Sequence, residues 1–277
     1  MSNTKKRAAD ANPPAKKAKK RKGNFENNES LDAELGINTL FSRMDSQLLA
    51  DHIAQKTTRF GTELSPVELS DISISGTFKK DLIAGTLLTK SPAGSITDTS
   101  SWQEQRILTN LPDFLEQFSE DKEGLSRSSK KPGSPHTLIV AGAGLRAADI
   151  VRGPNLPDKF VTDKKESAVR KFQTKNCAVA KLFAKHMKIE EQITYLKSKK
   201  TGIAVGTPAR LADLIDNGAL SLENLERLVV DASHIDQKKR GVMDMKDTMM
   251  PLARFLARKE FKEKYAAEEK PLALLFY

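Results

Sequence analysis

The chain reads as an α/β protein, a parallel β-sheet covered by helices, with a disordered basic tail in front. Two observations carry that expectation. From His136 onward, apolar runs of strand length alternate with stretches of helical periodicity, the pattern of parallel strands joined by crossover helices. The net charge of +10 is also concentrated at one end. Residues 1–22 hold seven Lys and two Arg against one Asp, so they carry +8 and the remaining 255 residues only +2. The body is therefore close to neutral, and a pI of 9.5 does not by itself mark it as a nucleic-acid-binding domain. At 277 residues with 38% hydrophobic side chains, the chain can build one such domain plus tails.

Residues 1–30 are charged, contain Pro and are poor in apolar side chains, which predicts disorder. Lys5, Lys6 and Arg7 form one basic cluster; Lys16 and Lys17 lead into a second at Lys19, Lys20, Arg21 and Lys22. Pro13 and Pro14 keep the spacer extended. Two clusters on such a spacer suit the two acidic grooves of an import adaptor, which predicts a bipartite nuclear localisation signal and a nuclear import receptor as partner. The same charges make a polyanion-binding tail, and the two roles are compatible.

Residues 31–135 read as a helical and irregular extension. Asn38 is placed to cap one amphipathic helix running to about Thr58, with Leu40, Phe41, Met44, Leu48 and Ile53 at helical spacing. That helix either packs on its own domain or projects toward a partner. Gly61 to Leu88, with Ile72 and Ile74 alternating, predicts strand and loop at the domain edge. Ser91–Ser101 and Ser119–Pro135 read as loops. Between them, Trp102–Phe118 is helical in part, with Leu111 and Phe114 on its apolar face and Pro112 at a boundary. The lone Trp102 is read as a packing residue rather than a base-stacking platform.

Residues 136–277 carry the α/β pattern. His136–Ala141 (HTLIVA) is a strand, and a helix follows from Leu145 through Val151. It would run on into Val169 and Phe172 but for residues 153–168 (GPNLPDKFVTDKKESA), whose Gly153-Pro154 and Pro157 cannot continue a helix. That stretch is either a surface insertion or a gene-model error such as a retained intron, and low order is expected there. Val179, Leu182, Phe183, Met187, Ile189, Ile193 and Leu196 form a helical stripe read as core. Lys181, Lys185, Lys188 and Lys197 form its polar face, solvated or turned toward RNA phosphates. The strand Gly202–Gly206 runs into TPAR (Thr207–Arg210), which puts Pro208 in the first turn of a helix and Thr207 in position to cap it. The free N–H groups and dipole of that helix then face a phosphate, with Arg210 adding charge. The alternative is a plain helix start with a capping Thr and a surface Arg. A second apolar strand ends in DASH (Asp231–His234), and the chain closes on PLALLFY (Pro271–Tyr277).

Several chemistries are excluded. No run approaches the ~18 apolar residues of a membrane span, and the N-terminus has no apolar signal core. The single Cys177 rules out an internal disulfide, fits a reducing compartment and reads as a packed small hydrophobe. One Cys and four scattered His (His52, His136, His186, His234) give no metal-ligand spacing, so neither metal nor cofactor is expected. Gly142-x-Gly144 lacks the third glycine and acidic partner of a dinucleotide fingerprint. A phosphate-gripping loop needs G-x-x-x-x-G-K-[ST], and the nearest stretch, GTLLTKS (Gly85–Ser91), has Lys90 one residue early and no second glycine.

TPAR and DASH resemble the TPGR and DEAD motifs of the first RecA-like domain of DEAD-box RNA helicases, and their separation of 24 positions (231 − 207) lets both align without a gap. In that family the first acidic residue holds Mg²⁺ through water and the following Glu prepares the attacking water. Here Asp231 survives, Ala232 stands at the Glu position, Ser233 follows, and His234 replaces the last Asp. The resemblance thus implies a degenerate, inactive motif. GAGLRAADI (Gly142–Ile150) stands where PTREL contacts RNA phosphates, with Gly142, Ala143 and Gly144 replacing P, T and R and only Arg146 left as a cation. The implied RNA contacts are Thr207, Arg210 and Arg146. PLALLFY resembles the strand leading into the SAT motif, and because the chain ends there no second RecA-like domain is expected. The implied fold is a single degenerate RecA-like sheet, similar to the first DEAD-box domain.

A narrower likeness lies in KFQTKNCAVAKLFAKHMKIEEQ (171–192), KTGIAVGTPARL (200–211), NGALSLENLERLVVDASHIDQKKRG (217–241) and ELSPVELSD (63–71). These resemble the Cms-one family, nuclear proteins with a degenerate DEAD-box-like domain, over roughly residues 30–277 with one interruption; DASHIDQKKRG is the most specific segment. The resemblance implies a nucleolar assembly factor of the early small-subunit (90S) pre-ribosome without helicase activity. It would bind pre-ribosomal RNA, small-subunit assembly proteins or both. The alternative it implies is a nuclear regulator of DNA replication and the cell cycle acting through protein contacts.

Overall fold

The computed structural model describes residues 29–74, 96–152, 168–184 and 187–277. The basic clusters, GTLLTKS and nearly all of the 153–168 interruption fall outside the described residues, as do Lys185 and His186.

A short antiparallel pair, β1 (Leu31–Asp32) and β2 (Ile37–Asn38), opens the described chain. Asn38 does cap, its Oδ1 accepting from the Leu40 N–H at 2.9 Å, but what it caps is a 3₁₀ stretch, Thr39–Arg43. The backbone leaves that stretch at Met44 in extended conformation. Asp45 then starts a separate helix, α1 (Ser46–Phe60), accepting from the Leu48 N–H at 2.8 Å. The single expected helix is thus two, because Asp45 offers a second cap acceptor inside the apolar run. α1 packs on its own domain, burying Leu49, Ala50 and Ile53.

Where strand and loop were expected after Gly61, Pro66–Asp71 forms helix α2. Ser65 and Glu68 cap its start reciprocally, a signal present in the sequence and stronger than the Ile72/Ile74 alternation. α3 (Leu111–Gln117) starts with Pro112 in its first turn, as expected. Next come β3 (Thr137–Val140), α4 (Gly144–Arg152), β4 (Ala178–Leu182), α5 (Ile189–Ser198), β5 (Thr201–Gly206) and α6 (Pro208–Asp216). The remainder is β6 (Arg227–Val230), α7 (Lys246–Leu256), α8 (Lys259–Tyr265) and β7 (Ala273–Phe276). None of the helices among the described residues is long and apolar enough to cross a membrane.

β3 to β7 form one parallel sheet in the order β4-β5-β3-β6-β7, flanked by helices, which is the expected fold class. Ile96 adds a parallel bridge to Leu274 on the outer side of β7. The expected helical stripe from Val179 to Leu196 is corrected: its first half is strand β4, and the helix begins only at Ile189. Both faces of β4 are apolar, with Val179 and Phe183 in one cluster and Ala180 and Leu182 in the other. A strand buried on both sides shows no alternation and can mimic helical spacing.

Each sheet face has its own core. α1, α6, α7 and α8 cover the side of Leu138, Val140, Leu228 and Phe276. α3, α4 and the Trp102 segment cover the side of Ile139, Val205, Val229 and Leu275. Trp102 is 6% exposed and meets Phe114 edge-on at 5.6 Å between ring centroids. Residues before His136 therefore complete both cores.

His136, buried beside Thr137 at the start of β3, has its pKa pulled down to about 4, first by burial and then by Arg227. Its imidazole is neutral in the folded protein, while the unfolded chain takes up a proton near pH 6.5. Stability is then constant above that pH and falls as pH drops toward 4, by about 3 kcal/mol in all. Urea unfolding across this range should show the loss in the parent and a flatter profile in His136→Gln.

Candidate functional site

A parallel sheet brings the carboxyl ends of its strands to one edge, where α/β proteins place their sites. Here that edge gathers the loop after β3 with Arg146, TPAR after β5, and DASH after β6. Gly206 is required before TPAR, because a Cβ there would stand 2.3 Å from the Leu182 carbonyl oxygen.

Asp231 is 4% exposed, and both its oxygens are taken by one guanidinium. Arg146, in the first turn of α4, donates from Nε to Oδ2 at 2.8 Å and from Nη2 to Oδ1 at 2.9 Å. Such a bidentate pair is the strong form of this interaction. Burial disfavours the charge on Arg146, but Asp231 and then Asp149 outweigh it and hold its pKa above the usual arginine value.

The rest of the motif is built into the structure. The N–H groups of Ala232 and Ser233 donate to the Tyr277 carbonyl at 2.7 and 2.8 Å. The Asn38 N–H donates to the Ser233 carbonyl at 2.7 Å, and Ile37 bridges His234, so the β1–β2 pair lies across DASH. Ser233 Oγ is buried without a hydrogen-bond partner among the described residues. His234 has its pKa lowered by burial and then by Arg146, which favours the neutral ring.

At TPAR, Pro208 occupies the first turn of α6 as expected, but the expected cap is corrected. The Thr207 hydroxyl makes no hydrogen bond to the helix start. Arg210 turns inward, donating from Nη1 to the Met187 carbonyl at 3.2 Å and to Gln192 Oε1 at 2.8 Å. Gln192, 2% exposed, in turn donates to the carbonyls of Lys181 and Phe183. Arg210 therefore braces the connection from β4 to α5.

Sequence reasoning missed Arg106 and Tyr277. Arg106 donates to the carbonyls of Phe276 and Thr99, and burial pulls its pKa down to about 10. Tyr277 donates from its hydroxyl to the Ile107 carbonyl at 2.5 Å. Both tie the segment before α3 to the end of β7, and an Arg or Tyr near irregular chain carries no local signal of that role.

The residues present do not fit a nucleotide-bound Mg²⁺. Both Asp231 oxygens already accept from Arg146, Ala232 has no side-chain acceptor, and no group of three or more His, Cys, Asp or Glu among the described residues is arranged to hold a metal. No hydrolytic step is derived for this site.

A parallel α/β sheet flanked by helices, with TPAR and DASH at its strand ends and Arg146 paired to Asp231, defines a helicase-like domain. The sequence profile of CMS1, described as "U3-containing 90S pre-ribosomal complex subunit", matches residues 1–277, and the chain belongs to that family. Protein CMS1 of Chaetomium thermophilum is 55% identical over 276 residues, 99% of this chain and 97% of that one. Protein cms1 of Schizosaccharomyces pombe is 27% identical over 216 residues, 78% of this chain and 64% of that one. Among solved structures, the yeast DEAD-box splicing factor Prp28 matches 55% of this chain and 30% of its own at 22% identity, with a TM-score of 0.35.

Proposed function

We propose that this chain is a non-catalytic assembly factor of the early small-subunit precursor, docking on pre-ribosomal RNA and assembly proteins in the nucleolus. The family description supports the particle. The observation that carries the non-catalytic part is the buried Arg146–Asp231 pair. Arginine is a permanent cation with a carboxylate-matching fork, so it holds a fixed positive charge against Asp231. With Ala232 where a base would stand, the domain is a passive scaffold. Of the three candidate RNA residues, Thr207 is the one whose side chain is not engaged inside the domain; Arg146 and Arg210 act from within. The basic tail supplies nuclear import.

Two readouts test the proposal. The purified chain with RNA and Mg-ATP should release no phosphate above background and show no thermal shift; turnover would overturn the non-catalytic reading. Tagged protein in cells should give a nuclear signal and sediment with large particles that RNase dissolves. Sedimentation unchanged by RNase would favour a regulator acting through protein contacts alone.

A further inference from the structure

RNA docking requires cations free to meet phosphates, and Arg146 and Arg210 are both engaged inside the domain. A different set is free. Arg152 ends α4, Arg170 lies in the 3₁₀ turn Val169–Phe172, and Lys181 lies on the edge strand β4. These three elements pack against one another over one sheet face, where Val151, Val169 and Val179 are buried together. Lys181 falls between Val179 and Phe183, so it shares that face at its rim. Arg152 and Arg170 are exposed and Lys181 is half-buried. None of the three side chains makes an ion pair or hydrogen bond to a described residue.

Lys56, Lys131, Lys171, Arg240 and Arg258 each hold a carboxylate. Lys171, beside Arg170, already takes Asp113 and Glu116, the nearby acids. Besides burial, Arg152 and Arg170 both lower the Lys181 pKa, so the three like charges lie within range of one another. Such a cluster, with no ion-paired carboxylate among the described residues, raises the local potential and attracts an anion from outside.

The class of anion follows from what surrounds the cluster. The exposed large apolar side chains among the described residues are Leu35, Leu48, Val67 and Leu145, and none is beside it; Leu145 is at the opposite end of α4. An acidic peptide would need an apolar centre to its interface. Among the described residues no exposed aromatic stands there to stack a base either, which favours the phosphate backbone.

We propose that Arg152, Arg170 and Lys181 form a sequence-independent contact for the RNA phosphate backbone, at the β4 edge rather than at TPAR. This rests on the RNA-docking reading above. The test compares the full chain with an Arg152→Gln/Arg170→Gln/Lys181→Gln variant, titrated with mixed-sequence single-stranded RNA over a salt series. Three phosphate contacts at about 0.7 each predict that the slope of log K against log salt falls by about 2. Binding near ~0.1 M salt then weakens about a hundredfold. The basic tail is common to both chains and cancels in the difference. The melting temperature should hold or rise as repulsion is removed. If Lys181→Gln disturbs folding, the two exposed arginines alone should lower the slope by about 1.4. Unchanged affinity and slope in the variant would overturn this inference while the RNA reading stood. No salt-dependent RNA binding by the parent chain would overturn both. Loss of a poly-glutamate probe with RNA binding intact would mark the surface as protein-facing and also overturn it.

Discussion

Replacing Arg146 by Met is expected to lower the unfolding free energy by about 3–5 kcal/mol, read from denaturant midpoints. The variant leaves the Asp231 carboxylate, 4% exposed, without its only side-chain partner among the described residues. The matching double variant, Arg146→Met with Asp231→Leu, should recover most of that loss, because replacing both members of a buried pair by apolar groups is often neutral or better. The four proteins form a cycle whose coupling energy measures the pair directly. A cost below about 1 kcal/mol for Arg146→Met would mean the pair behaves as a solvated one. Arg146 would then be no fixed counter-charge, and the case for a permanently filled catalytic position would weaken.

Phe114→Ala should cost a similar amount, about 3–5 kcal/mol, through lost burial and the cavity left behind. Phe114 is fully buried, with ring centroids 4.7 Å from both Phe118 and Tyr277 and 5.6 Å from Trp102. Arg106 lies 5.7 Å above its ring. The effect reaches the site, because the Tyr277 carbonyl receives the N–H groups of Ala232 and Ser233. Trp102 is the chain's one tryptophan, so its emission should shift to the red in the variant while far-UV dichroism holds. A cost near that of a surface substitution would make the Trp102–Phe118 segment peripheral to the fold.

Much of the architecture could be read locally. Short apolar runs bounded by turn residues marked β3, β5, β6 and β7, and Pro208 and Pro112 marked helix starts. The departures from the helicase motifs at Ala232 and at Gly142–Gly144 were legible in the residues themselves. Errors came where two local signals competed. Asp45 divides an apolar stripe that looks like one helix, and the Ser65–Glu68 cap outweighs the alternation that follows. β4 passed for a helix because an edge strand with both faces buried leaves no period of two to read.

The charges at the site are another matter. Arg146 and Asp231 stand 85 positions apart, and they meet because β3 and β6 are hydrogen-bonded neighbours in the sheet. The motif resemblance could show which positions depart from the helicase pattern and which ionisable side chains stand there. Whether each remaining cation is neutralised inside or left for a ligand depends on strand order and helix packing. Electrostatic partners are chosen by distance in space, and local periodicity carries no record of that distance.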